Sequence, residues 1–366
     1  MSTSEQHDES STLIPVSEDP FCREASLSSL DTWITPTDRF YIRSHFSEVP
    51  RLDSSSWRLV VDGEVSRPQT LSLPDILAMP ATEFVTTLEC AGNSRSYTTP
   101  PSEGLAFRHG AVSNARWKGV PLSHLLDLSG LQASALELVF EGADQGQEEE
   151  DGVAFELNFR RSLTIDMAGQ SDILLAYQMN GEALTPDHGF PLRLIVPRWY
   201  AMASVKWLTR INVVAQPFVG FFQQRRYVMI NEGPENSLER EPVTALKVKS
   251  LIASPRHGEV VPPGNCTIRG FAWSGEGEVN RVEVSADGGR TWENARMLGQ
   301  ADPRAWRQWE LVWQASQSGH YVVMARATDS AGNTQPSSIP WNFRGYANNS
   351  IHTIAVEVPM QGEIPS

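Results

Sequence analysis

The sequence predicts an α+β domain followed by an all-β, immunoglobulin-like sandwich, and three observations carry that expectation. Strand-like segments in the first two-thirds of the chain are interleaved with short helical ones, without the regular rhythm of a doubly wound sheet. A polar, proline-bearing stretch from Asn231 to Val243 then reads as a linker. Beyond it, short alternating strands recur at even spacing over about 110 residues, with turns at Asp287-Gly288-Gly289 and Asp329-Ser330-Ala331-Gly332-Asn333. A chain of 366 residues can give each of two domains its own core. The expected boundaries are a tail over 1–37, the α+β domain over 38–243, the sandwich over 244–357 and a short tail over 358–366.

Taken in order, residues 1 to about 30 are polar and acidic and predict a mobile tail. Phe40 to His45 is a short strand carrying Arg43. Trp57 to Val65 alternates and then turns at Asp62-Gly63, a hairpin signal. Ser72 to Met79 reads as one short helix, with Ser72 as N-cap, Pro74 in the first turn and Pro80 ending it. Phe84 to Leu88 is β-branched and apolar, a strand that breaks into a loop at Ala91-Gly92-Asn93. Pro121 to Leu128 is a second helix, stopped by Gly130. Leu136 to Phe140 is a strand leading into Glu141-Gly142-Ala143-Asp144. Gly146 to Gly152, with Glu148, Glu149, Glu150 and Asp151 together, predicts a solvated acidic loop. Ile173 to Met179 and Leu192 to Val196 are strands. In the sandwich, Val279 to Val284 and Tyr321 to Ala327 alternate. No cysteine pair staples its sheets, so Trp273, Trp292, Trp306, Trp309 and Trp313 must supply the packing.

The composition, 40% hydrophobic and 20% charged, is that of a globular protein. A formal charge of −14 argues against nucleic acid and anionic membrane surfaces as partners. Cys22, Cys90 and Cys266 are far apart and odd in number, which suits a reducing compartment rather than a disulfide framework. The N-terminus shows no basic start, apolar run or twin arginine, so the expectation is a cytoplasmic protein, periplasmic only if a leader has been removed.

The chemistry-bearing stretch runs from Thr86 to Ser96. Cys90 stands at its strand-to-loop junction with Arg95 five residues on. A thiolate is a soft metal ligand and a nearby guanidinium favours its ionised form; the plainer alternative is a buried cysteine beside a solvated arginine. Thr87-Leu88-Glu89-Cys90-Ala91-Gly92-Asn93-Ser94-Arg95-Ser96 resembles the segment that carries the metal-binding cysteine in the sulfite oxidase family of molybdopterin enzymes. Further segments resemble that family in the same order: F-Y-I-R-S-H at 40–45, the run 104–122, F-E-G-A-D at 140–144, L-L-A-Y-Q-M-N-G at 174–181, D-H-G-F-P-L-R-L-I-V-P at 187–197, A-S-V-K-W-L at 203–208, F-F-Q-Q-R-R-Y at 221–227, S-A-D-G-G-R-T-W at 285–292 and P-W-N-F-R-G at 340–345.

That resemblance implies a Mo-molybdopterin cofactor with Cys90 as its protein ligand. It also implies that Arg43, His45, Asp144, His188, Arg193, Ser204, Lys206 and, through its backbone, Val205 hold the cofactor. Arg43, Arg95 and Arg344 would line an anion pocket with Tyr227 and Phe107; forked guanidinium donors match a small oxyanion. The implied reaction is oxidation of sulfite to sulfate by oxygen-atom transfer, with electrons passed to an external acceptor, a cytochrome or dioxygen. The alternative is a related reductase of nitrate or an S- or N-oxide. No haem-binding module is visible in this chain, and the second domain would form a homodimer. Three departures stand out: Phe107 where the family commonly has tryptophan, Ser94 where an arginine follows the loop asparagine, and Arg226 where an acidic residue precedes the tyrosine.

Overall fold

The computed structural model of the chain describes residues 13–150, 152–232 and 238–360. It opens with a small antiparallel sheet of β1 (Leu13–Ser17), β2 (Cys22–Ala25) and β3 (Ile42–Arg43). The expected tail is therefore corrected from Leu13 onward; residues 1–12 lie outside the described ones. The polar composition concealed a few strong anchors. Cys22, Ala25 and Leu30 are buried. The buried Glu24 carboxylate accepts from Arg108 Nε at 2.6 Å and from the Arg108 amide at 2.8 Å. The amides of Ala25 and Thr35 donate to the carbonyls of Gly110 and Asn114.

The rest of the first domain comprises β4 (Arg58–Gly63), β5 (Gln69–Ser72), α1 (Leu73–Leu77), β6 (Thr82–Glu89), β7 (Val112–Pro121), α2 (Leu122–Ser129), β8 (Glu137–Glu150), β9 (Val153–Thr164), α3 (Ile165–Ala168), β10 (Leu174–Met179), β11 (Glu182–Ala183), β12 (Arg193–Ile195), β13 (Leu208–Val214), β14 (Val228–Glu232) and β15 (Leu238–Pro242). One sheet runs β11-β10-β7-β6 with β12 also on β10; the other runs β5-β4-β13-β8-β9, with β4 and β13 parallel. Strands predominate and the helices are short.

The local chemistry of α1 and α2 is as the sequence predicts. Ser72 Oγ accepts from the Asp75 amide while the Asp75 carboxylate accepts from the Ser72 amide, a reciprocal capping box. Gly130, at φ +64°, ends α2. Other expectations are corrected by pairing that only the folded chain supplies. The β4–β5 turn falls after Gly63, because Asp62 and Gly63 stay in strand beside β13, where Asp62 accepts from Arg210 and Asn212. The acidic run is no solvated loop: through Glu150 it continues β8, paired residue by residue with β9, and Asp151 lies outside the described residues. The stretch expected to be a linker is instead the β14–β15 hairpin, whose residues 233–237 are outside the described ones. Val243 is buried and its amide donates to the Tyr227 carbonyl, closing that hairpin onto the domain.

The second domain holds β16 (Lys249–Ser254), β17 (Gly264–Trp273), β18 (Val279–Ser285), β19 (Glu293–Asn294), β20 (Arg296–Met297), β21 (Arg307–Ala315), β22 (Gly319–Asp329) and β23 (His352–Val358). They form two four-stranded sheets, β16-β17-β21-β20 and β19-β18-β22-β23. β23 alternates buried and exposed along its whole length, the period-2 signature of a half-buried strand. Valine, isoleucine and alanine side chains fill the space between the sheets around the fully buried Trp309. The five tryptophans do not share one role. Trp313 packs edge-on to Tyr321, and Trp292 lies beneath the Arg326 guanidinium. Trp273 and Trp306 leave the sandwich core for the seam with the first domain, where their indole N–H groups donate to Glu89 and to the Trp33 carbonyl. Among the described residues no helix is long and apolar enough to cross a membrane.

The seam contains a buried ion pair: Lys249 Nζ lies 3.0 Å from Glu89 Oε1 and 2.8 Å from Ser94 Oγ. Both side chains are 2% exposed, so removing one charge strands the other in a low-dielectric interior. Lys249→Met is expected to cost about 3–5 kcal/mol, read as a lowered urea midpoint. A midpoint within experimental scatter of the wild type would remove the pair from this role.

His352 Nδ1 accepts from the Ile252 amide at 2.9 Å, which requires an unprotonated nitrogen. Burial, with Lys249 and His257 adding to it, holds this imidazole down at about 3, far below its unfolded value near 6.5. Between those values the unfolded chain binds the extra proton, so this contribution to stability is full above 6.5 and lost as pH falls towards 3. The loss runs at up to about 1.4 kcal/mol per pH unit. Thermal unfolding followed from pH 7 to pH 5 is expected to show a shallower decline for His352→Gln, which keeps an acceptor but does not titrate.

Candidate active site

β6 delivers Cys90 at its end, and the loop that follows is fixed by its own side chains. The Cys90 amide donates to the Ala111 carbonyl, and Asn93 bridges the loop by donating to Glu89 and accepting from the Ala111 amide. The left-handed residue is Ser94, at φ 73°. Gly92 serves by close approach: a Cβ there would lie 2.6 Å from Arg95 Nη1, so only glycine lets the guanidinium lie across the loop. Cys90 is buried. Burial pushes its thiol up, while Arg43 and Arg95 act in the opposite sense.

Two cavities meet at this cysteine. A narrow slot is lined by Asp144, His188, Arg193, Ser204 and Lys206, and a wide chamber of about 700 Å³ by Arg95, Arg226, Arg344 and Tyr346. Arg43, His45, Cys90 and Tyr227 line both, and so stand at the junction.

The slot is cationic and short of partners. Among the described residues Arg193 donates to the carbonyls of His188 and Ser204, and Lys206 Nζ to the Asp187 carbonyl at 2.8 Å. Arg193 Nε and Asp144 Oδ1 are buried with no partner. Burial lowers Lys206 to about 7, with Arg193 adding to it, and raises Asp144 to about 7. Burial, then Lys206 and Arg193, hold His188 down at about 3, so its imidazole is neutral. The chemistry of such a lining fits a group that is both polar and anionic.

At the junction His45 Nε2 and Tyr227 Oη lie 2.6 Å apart, and Phe159 stacks on the imidazole with centroids 4.0 Å apart. Burial, then Arg43 and Lys206, keep His45 neutral; burial raises the Tyr227 phenol above its ordinary range. In the chamber, Arg95 donates Nε to the Arg344 carbonyl and Nη1 to the Leu105 carbonyl, and lies over the Tyr346 ring. Arg344 meets Glu150 at 3.3 Å and Arg226 meets Glu148.

Two of the residues that the sequence places at the site do not line it. Phe107 is fully buried in the apolar cluster behind Cys90, with Phe40 and Leu88. Val205 is buried outside both linings, its amide donating to the Ala203 carbonyl and its carbonyl accepting from the Leu194 amide. Sequence reasoning missed Tyr346, which stacks on Tyr227 at 5.3 Å, and the hairpin carboxylates. The nearest signal for Tyr346 was its place two residues after Arg344.

Because Phe107 belongs to a close-packed cluster, Phe107→Trp is expected to destabilise by about 1–3 kcal/mol through overpacking. The effect belongs in the thermal midpoint; a changed Michaelis constant with an unchanged midpoint would return this residue to the pocket.

Residues 46–222 match the oxidoreductase molybdopterin binding domain, and residues 240–359 match the Mo-co oxidoreductase dimerisation domain. The chain is 34% identical to sulfite oxidase of Arabidopsis thaliana, over 93% of each protein. It is also 34% identical to nitrate reductase [NADH] 1 of Arabidopsis thaliana, over 97% of this chain but only 42% of that longer protein. Among solved structures, it superimposes on the sulfane dehydrogenase SoxCD from Paracoccus pantotrophus with a TM-score of 0.82 and 28% identity, covering 98% of this chain and 93% of that one.

Proposed function

Since the chain belongs to the sulfite oxidase family of molybdopterin oxidoreductases, we propose that it oxidises sulfite to sulfate, with Cys90 as the protein ligand of the metal and an external electron acceptor. One observation carries this reading: Cys90, Arg43, His45 and Tyr227 stand where a cationic slot opens into an arginine-lined chamber.

The slot's chemistry suits the cofactor. His188, Arg193, Ser204 and Lys206 are the donors available to its phosphate and pterin, and Asp144 Oδ1 is an acceptor. Among the described residues no group of three or more His, Cys, Asp or Glu side chains is arranged to hold a metal ion by itself. Cys90 would be the soft ligand that the chain adds to those the dithiolene brings. When bound, the molybdenum cofactor supplies two-electron oxygen-atom transfer.

The chain's own residues do the rest. Arg43, Arg95 and Arg344 place positive charge around a small anion and hold it beside Cys90. Neutral His45 fixes the Tyr227 hydroxyl through their 2.6 Å contact, so the phenol points its polarity at the junction. The buried walls of Phe159 and Tyr346 limit water there. The dimerisation domain supports a homodimer, a cytochrome or dioxygen would take the electrons, and a cytoplasmic setting is part of this proposal. Likeness to nitrate reductase supports a second reading, reduction of nitrate or an S- or N-oxide at the same centre.

The test is an anaerobic sulfite titration of cofactor-loaded protein, following thiolate- and dithiolene-to-molybdenum absorption. Bleaching by about one sulfite per molybdenum is expected, as two-electron chemistry requires. Unchanged absorption with sulfite, but reoxidation of chemically reduced enzyme by nitrate, would favour the second reading. Cys90→Ser is expected to retain pterin and fold while losing turnover; full sulfite oxidation by that variant would refute the ligand role.

A further inference from the structure

Three arginines of the chamber already spend part of their donor capacity within the chain. Arg95 is committed to two carbonyls, one of them that of Arg344, which pins the Arg344 backbone and leaves its side chain as the adjustable part. That side chain meets Glu150 through one contact only, Arg344 Nη2 to Glu150 Oε1 at 3.3 Å. A guanidinium and a carboxylate can close two parallel bonds. Here Arg344 Nε and Glu150 Oε2 are both buried and have no hydrogen-bond partner among the described residues, so the pair is half made. The two side chains are 12% and 10% exposed, which keeps bulk water from completing it.

The origin of the carboxylate is the strand itself. With a period of two, β8 turns Glu148 and Glu150 inward and Glu149 outward. The inward pair meets Arg226 and Arg344, two cations of one chamber. The hairpin thus places a carboxylate oxygen on the donor that an oxyanion would use.

We infer that Glu150 is the resident counter-anion of the chamber: it occupies Arg344 while no substrate is bound, yields it to an incoming oxyanion, and so sets how tightly the chamber holds small anions. The inference rests on the oxyanion reading proposed above. Competition of this kind weakens binding of both substrate and product, which favours release of a product as strongly charged as sulfate. It also disfavours monoanions, whose single charge displaces a carboxylate less readily than a dianion does.

Sulfate binding to the oxidised holoenzyme, measured by titration calorimetry at fixed ionic strength, tests this without turnover. Glu150→Gln is expected to bind sulfate about five- to tenfold more tightly than the wild type, the size of one partly buried ion pair given up. Glu150→Asp keeps the charge but withdraws the oxygen, and is expected to tighten binding in the same direction. Glu149→Gln removes an outward charge from the same strand and is expected to stay within about twofold, since an exposed charge is screened. Unchanged or weaker binding in both Glu150 variants would overturn the inference, as would an equal gain in Glu149→Gln, which would make it a net-charge effect. Should Glu150→Gln fail to fold, Glu150→Asp decides alone. If neither sulfate nor sulfite binds to wild type or to any variant, the oxyanion reading itself fails and this inference with it; binding that is unaffected by Glu150 removes the inference alone.

Discussion

The ion pair between Lys249 and Glu89 joins the two domains at the residue that precedes the active-site cysteine. Two charges buried this deeply are stable together only because every strong acceptor is used. Glu89 Oε1 accepts from Lys249 and Asn93, and Oε2 accepts from the Trp273 indole. Two of those three donors, Lys249 and Trp273, belong to the second domain, and the third, Asn93, to the loop it braces. The same seam adds the Ala347 amide on the Ala91 carbonyl, Asn348 on the Ser94 carbonyl and Arg95 on the Arg344 carbonyl. The bonds that dock the domains are therefore those that aim Cys90. Ser94, the departure from the family's arginine, receives the Lys249 ammonium from across the seam, so a cation reaches this loop from the other domain.

Burial also decides the electrostatics of the site. The protein carries −14 overall, yet the slot holds Arg193 and Lys206, whose hydrogen bonds among the described residues go to main-chain carbonyls and not to carboxylates. In a low dielectric such charges project strongly onto whatever enters. Burial, with the neighbouring cations adding to it, keeps His45 and His188 neutral, so they act as hydrogen-bonding groups rather than as added charge. The chamber is balanced differently, because β8 brings carboxylates to two of its arginines. A protein rich in acid can thus carry a cationic slot beside a chamber in which two arginines are paired with carboxylates.

Much of this was legible in the sequence where the signal is local. The cap at Ser72, the stop at Gly130 and the alternation of the sandwich strands depend on neighbours a few residues away. The ordered segments from Phe40 to Arg344 identified the family, and with it the residues that line the slot. The errors share a cause. The polar N-terminal segment, the acidic run and the stretch before Val243 all became strands, because their partners lie far along the chain or across a hairpin. Composition registers how a segment would fare in water; it does not register the carbonyls of Gly110 and Asn114 or the edge of β9 waiting to pair with it.

What the sequence by itself determined is the set of parts: a cysteine at the end of a buried strand, arginines in known order, two domains with different hydrophobic periods, and the family to which these belong. What only the tertiary structure decided is which parts face one another. It moved Phe107 from the pocket wall into the core and drew Trp273 and Trp306 out of the sandwich to the seam. It also set Glu150 against Arg344, 194 residues away. The physical reason is that periodicity and capping are written in contacts a few residues apart. Burial, and with it the strength and sign of every charge at the site, is a property of the whole packed chain.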